Sequence, residues 1–254
     1  VEQDHRRPLM SGFHGLFSLG GIVSAGSMGL MLWAGASPLL AVSVVVVIVA
    51  GILLWHARHL LPYGADDPSA PFTWPTAKVL IIGLLCFIAL LVEGAILDWS
   101  AVFLNRAHQI DLSVAGGAYA VFSLTMAAGR FSGDALRNRF GAVKLLIGGG
   151  LLVMLGFAMA VLLQPWPLFL LGFALIGLGL SNTFPVYCSI VGAQTAMPAG
   201  LGIAVITGIG YCGILLGPAL IGFAAHLIGL RDALLCVGAL LLAQVLSARA
   251  LASA

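Results

Sequence analysis

About eight apolar stretches, each long enough to cross a bilayer, follow one another along this chain with almost no charge inside them. A spanning helix needs about 20 mostly apolar residues, because each residue advances 1.5 Å through a hydrocarbon core about 30 Å thick. Lipid offers no hydrogen bonds, and a helix satisfies its own backbone residue by residue. Spans are expected at 9–34, 38–61, 77–104, 113–135, 142–164, 166–190, 201–226 and 231–252. The expected fold class is therefore an all-α polytopic membrane helix bundle, and the lipid bilayer is its first partner.

Composition closes off the other classes. The chain is 61% hydrophobic and 8% charged, with a mean hydropathy of +1.13, so it lacks the charged surface a soluble domain requires. A net charge of +2, with arginines spread along loops, does not point to nucleic acid. Cys86, Cys188, Cys212 and Cys236 lie inside apolar runs and form no CxxC pair, so neither a metal site nor a disulfide framework is indicated, and no cofactor is implied. The sequence starts at Val1, and its first apolar run is too long and glycine-rich for a signal peptide.

Short connections, at Gly35 to Ser37 and at Gln164 to Pro167, make neighbouring spans antiparallel. The longest connection, 62–76, contains Pro62, Pro68, Pro71 and Pro75 with Asp66 and Asp67, and is expected to be a linker between two bundles. Basic residues then orient the chain. Arg6, Arg7, Arg58, Lys78, Arg130, Arg137, Arg139, Lys144 and Arg249 fall on one side, against Arg106 and Arg231 on the other. The positive-inside rule makes the first side, with both termini and the linker, cytoplasmic. Spans 38–61, 142–164 and 231–252 have bland centres and are expected to face lipid. Every third span is thus peripheral, as in carriers built from repeated three-helix units.

Ionisable groups at membrane depth are costly and mark solute or proton pathways. Glu93 lies about 24 Å up its helix and is the leading candidate to take up and release a proton; the plainer alternative is a helix–helix hydrogen bond. Asp98 follows five residues later, about 140° around the helix, so the two carboxylates do not share a face. With Trp99 it is expected near the outer interface, where Trp is enriched. Asn182, Phe184 and Pro185 interrupt the sixth span, and an interrupted helix exposes backbone groups to a ligand. Tyr119, Phe122 and Tyr211 are midplane aromatics suited to stacking on a small-molecule substrate or to core packing. His14 sits one turn into the first span. No serine or cysteine pairs with a base in a nucleophilic arrangement, which argues against an enzyme.

One connection carries a motif. Gly129-Arg130-Phe131-Ser132-Gly133-Asp134-Ala135-Leu136-Arg137-Asn138-Arg139-Phe140-Gly141 resembles the Gly-x-x-x-Asp-(Arg/Lys)-x-Gly-(Arg/Lys)-(Arg/Lys) loop of the major facilitator superfamily, although its final basic pair is reduced to Lys144. In physical terms Gly129 and Gly133 permit close helix approach, Asp134 is expected to pair with Arg137 or a helix-end dipole, and Arg130 to be tied to Asp134. Four further stretches resemble the same family. Gly210 to Gly222, with Gly213, Gly217 and Pro218, is similar to its eleventh helix, and Gly179 to Pro185 to its tenth. Glu93 to Ser100 and Ser11 to Gly20 resemble the seventh and fifth helices of the fucose-permease-like branch.

The resemblance implies a secondary transporter working by alternating access, with a sugar or drug-like metabolite as substrate and protons as a coupling ion, in a bacterial inner membrane. It also implies that the chain supplies helices five to twelve of a twelve-helix fold: residues 1–61 as two helices of an N-terminal bundle and 77–254 as a whole C-terminal six-helix bundle. The alternative to a working carrier is an inert fragment lacking the first four helices, and the alternative to truncation is a protein of eight spans.

Overall fold

A computed structural model describes residues 9–59, 73–110, 112–163 and 165–252. These divide into two compact units, residues 9–15 with 73–252 and residues 16–59. The expected linker falls largely outside the described residues. Among the described residues all regular structure is helical. The helices are α1 (Met10–Trp33), α2 (Pro38–His56), α3 (Ala77–His108), α4 (Leu112–Phe140), α5 (Ala142–Leu162), α6 (Trp166–Leu180), α7 (Thr183–Ala193), α8 (Ala199–Ile228), α9 (Leu230–Ala239) and α10 (Leu241–Ala252). The eight expected spans are all present as helices, two of them broken. Among the described residues, six segments meet the length and hydropathy needed to cross a membrane: Pro38–His59, Ala77–His108, Ala142–Leu162, Pro167–Ala193, Ala199–Ile228 and Leu230–Leu251.

Helix ends follow local chemistry. Ser37 Oγ accepts the Leu40 N–H at 3.2 Å and Pro38 starts α2, where its missing N–H costs nothing. Thr76 Oγ1 accepts the Val79 N–H at 3.3 Å at the start of α3. Between α4 and α5 the chain turns on a single residue, Gly141, at φ +81° and ψ 162°. Only glycine adopts that conformation without strain.

In the larger unit α3 packs most extensively against α8, and α5 against α6. Both contacts are made by glycines. The buried residues of α8 are Gly202, Ile206, Gly210, Gly213, Gly217 and Ile221, a single stripe at steps of three and four. A Cβ on Gly213 would strike the Phe87 carbonyl oxygen and lie 2.9 Å from the Leu91 nitrogen. Gly149 faces the Gly179 carbonyl and Gly156 the Gly172 carbonyl, where added Cβ atoms would sit at 2.5 and 2.6 Å. Within lipid, helices associate by this close backbone approach rather than by a hydrophobic drive.

Burial does not follow blandness of sequence. Pro38–His59 is 6% buried, Ala142–Leu162 and Leu230–Leu251 are each 39% buried, and Ala199–Ile228 is 22% buried. Ala142–Leu162 has a contact face on one side, and α8 buries the single stripe named above. Bland composition is compatible with either surroundings, because lipid and helix packing are equally apolar.

Candidate functional site

The motif stretch forms the last three turns of α4. Gly129 and Gly133, one turn apart, meet the break between α6 and α7. A Cβ on Gly129 would overlap the Ser181 side chain, and one on Gly133 would overlap Asn182 Oδ1 and stand 2.7 Å from Ser11 Cβ. The break itself is sequence-driven. Pro185 has no N–H to give to the carbonyl four residues back, and Asn182 takes φ −103° and ψ −2°, the sparsely populated bridge region. Asn182 Nδ2 donates to the Gly129 carbonyl at 3.0 Å and to Ser181 Oγ at 2.9 Å, and Ser181 Oγ donates to the Leu178 carbonyl at 2.6 Å. The break is therefore tied to α4 by the Asn182–Gly129 hydrogen bond and lies close against it at Gly129 and Gly133, where an added Cβ would overlap Ser181 and Asn182.

Asp134 reaches the start of α1. Its Oδ1 accepts the Ser11 N–H at 3.2 Å and its Oδ2 the Gly12 N–H at 2.9 Å. The first N–H groups of a helix have no partner within it and carry the positive end of its dipole, so Asp134 acts as a cap supplied by another helix. Of the two partners expected for Asp134, the helix end is the one it has.

Arg130 has a partner the sequence did not suggest. Its Nη2 stands 3.6 Å from Glu93 Oε2. The Asp134 carboxylate accepts two amides, and Arg130, 18 residues into the helix that follows α3, comes level with Glu93. The Arg130 and Glu93 side chains are 8% and 28% exposed, so the pair is largely withdrawn from solvent. His14 lies within the same unit, its Nδ1 2.8 Å from the Met10 carbonyl and its ring 5.5 Å from that of Phe184.

The remaining candidates are dispersed. Asp98 is exposed while Glu93 is half-buried, as their angular separation requires. Trp99 is half-buried and lies against Gly222, where a Cβ would sit 3.4 Å from its ring. Its Nε1 is buried without a hydrogen-bond partner among the described residues. Tyr119 and Phe122 are 6.1 Å apart, the first exposed and the second buried. Tyr211 is exposed on α8. Arg137 is half-buried and Arg139 lies 5.3 Å over the Phe140 ring. Gly217 lies under Leu91, with a Cβ there 3.3 Å from Cδ1, and Pro218 is carried inside α8.

Sequence reasoning missed Gln244. It is 1% exposed, and its Nε2 donates to the Leu146 carbonyl at 2.8 Å and to Thr183 Oγ1 at 3.4 Å, tying α10 to α5 and to the start of α7. The available signal was a lone amide in an otherwise bland span. It missed Ser11 as well, because an N–H donor leaves no mark in a sequence.

The family model described as Major Facilitator Superfamily matches residues 80–251. An uncharacterized MFS-type transporter of Yersinia pestis is 45% identical over 251 residues, covering 98% of this chain and 65% of its own length. The membrane protein MosC of Rhizobium meliloti is 32% identical over 246 residues, 93% of this chain and 58% of its own. The uncharacterized transporter y4wD of Sinorhizobium fredii is 30% identical over 245 residues, 94% and 64%. The chain thus spans less than two thirds of the length of these relatives.

Proposed function

Because this chain belongs to the major facilitator superfamily, we propose that it serves a secondary carrier that moves a small solute by alternating access. Its helices then correspond to helices five to twelve of such a carrier, in the fucose-permease-like branch, with a sugar or drug-like metabolite as substrate. Residues 1–61 are two helices of the N-terminal bundle, 62–76 the linker and 77–254 the C-terminal bundle. The membrane is a bacterial inner membrane with both ends of the chain cytoplasmic; what supports this orientation is the excess of basic residues at one end of the spans.

The observation that carries the reading is the Glu93–Arg130 ion pair between α3 and α4. A carboxylate and a guanidinium at membrane depth are expensive to keep, and they are characteristic of solute and proton routes. Glu93 is the proton carrier in this reading and Arg130 its partner, so that protonation of Glu93 frees the arginine. Asp98, Trp99, Tyr119, Phe122, Asn182, Phe184 and Tyr211 are assigned to the substrate route. Asp134 is a latch in this reading: its carboxylate caps the first turn of α1, and losing those two hydrogen bonds releases that turn from α4. Gly129, Gly133, Arg137, Arg139, Gly141, Gly213, Gly217 and Pro218 shape the helices that move.

Proteoliposome uptake of a panel of labelled monosaccharides by the full-length carrier tests this. Glu93→Gln is expected to abolish accumulation driven by a proton gradient and to leave solute exchange in place. Accumulation by that variant at the wild-type level refutes the coupling role.

A further inference from the structure

Apart from the ion pair and the latch, the larger unit holds a cavity of about 570 Å³ at its basic end, between the start of α3, the end of α4, the start of α5 and the end of α7. Its size is within the range of small-ligand sites and well above that of a void for one water. Two cations line it, Lys78 and Arg137, and no acidic side chain does so among the described residues. Both cations are half-buried, and neither makes an ion pair among the described residues. Thr195 adds a hydroxyl that makes no hydrogen bond among those residues. The rest of the lining includes Val79, Ile82 and Val191, an apolar floor beneath the polar rim.

Two half-buried cations with no carboxylate beside them give the cavity a positive lining that suits an anion. The forked donors of arginine suit a phosphate, the lysine serves as a point charge beside it, and an apolar floor suits the body of an ester. Basic pockets between spanning helices are a recognised setting for anionic headgroups. We infer that this cavity binds a phosphate ester through Lys78 and Arg137, with the apolar floor holding the part of the molecule attached to the phosphate. The source is an anionic phospholipid headgroup or a soluble phosphate-bearing solute, and the chemistry at the two cations is the same for both. The inference needs only that the chain spans a membrane, so it stands or falls separately from the carrier reading.

The test reconstitutes the chain in nanodiscs of phosphatidylcholine containing phosphatidylglycerol, and reads lipid retained after detergent exchange by native mass spectrometry. In parallel, inorganic phosphate is titrated by phosphorus NMR line broadening into pure phosphatidylcholine nanodiscs. Each of Lys78→Gln and Arg137→Gln is expected to lower retention or broadening about fivefold, and the two together to lower it further than either alone, without strict multiplication, because both hold one phosphate. Lys144→Gln, an exposed cation near the same end outside the cavity, is expected to leave both signals unchanged. Retention of phosphatidylglycerol alone assigns the site to a headgroup, and phosphate broadening alone assigns it to a soluble phosphate. Absence of both signals in the wild type, or loss in Lys144→Gln equal to that in the cavity variants, overturns the inference. Should the double variant not remain monodisperse, the two single variants decide: each must lower the signal while remaining monodisperse, and an unchanged signal in both overturns the site.

Discussion

Asp134 Oδ2 accepts the backbone N–H of Gly12 at 2.9 Å across 122 residues of chain. With the neighbouring bond from Ser11, one carboxylate satisfies two of the N–H groups that a helix start leaves open. Asp134→Ala removes both bonds and the charge, and the loss of a cap costs about 0.5–2 kcal/mol. Asp134→Asn keeps a single neutral acceptor and is expected to fall between. Hydrogen exchange in the first turn of α1 should speed up in the order wild type, Asn, Ala; unchanged exchange in the alanine variant rules out the capping role.

Gly133 leaves room for Asn182 and Ser11. Gly133→Ala forces a Cβ into the Asn182 amide, and overpacking of this kind costs about 1–3 kcal/mol. Because the two residues share one space, Gly133→Ala combined with Asn182→Ala should cost less than the sum of the singles. Thermal unfolding in detergent measures all three, and strict additivity contradicts the contact.

Arg130 and Glu93 form a pair that is mostly withdrawn from water. Breaking a fully buried pair costs about 3–5 kcal/mol. The partial exposure of Glu93 brings the expected cost of Glu93→Gln or Arg130→Gln nearer to about 1–3 kcal/mol, the range for a single polar group left unsatisfied. Joint replacement should cost less than the two singles combined. A double-mutant cycle with no coupling energy would show that the 3.6 Å approach has no energetic content.

Two glycines of α8 offer an internal comparison. A Cβ on Gly213 would meet the α3 backbone, whereas one on Gly208 would have nothing within 4 Å. Gly213→Ala should lower stability by about 1–3 kcal/mol through overpacking. Gly208→Ala should raise it by about 0.5–1 kcal/mol by restricting the unfolded chain. Melting temperatures that move the same way in both variants would contradict the glycine-edge packing.

The motif Gly129 to Gly141 was visible in the sequence, and so was the interruption at Asn182 and Pro185. What the sequence did not reveal is that they touch: 53 residues separate Gly129 from Asn182. Glu93 as a partner of Arg130 was missed for a related reason. Asp134 is its neighbour along one helix, and only the antiparallel packing of α3 on α4 brings Glu93 to its level. The burial of Ala142–Leu162 was hidden because a helix packed on helices and one facing lipid use the same residues.

By itself the sequence determined that this chain is a bundle of membrane helices, where those helices fall, and that one of them breaks at Asn182 and Pro185. Each of those features is local: about 20 apolar residues span lipid, a proline removes one donor, and a glycine permits one turn. Which carboxylate meets which cation, which glycine edge receives a neighbouring backbone, and where two cations line one cavity were decided by the tertiary structure alone. Those outcomes depend on how helices distant in the chain are brought side by side, and no window of sequence contains both partners.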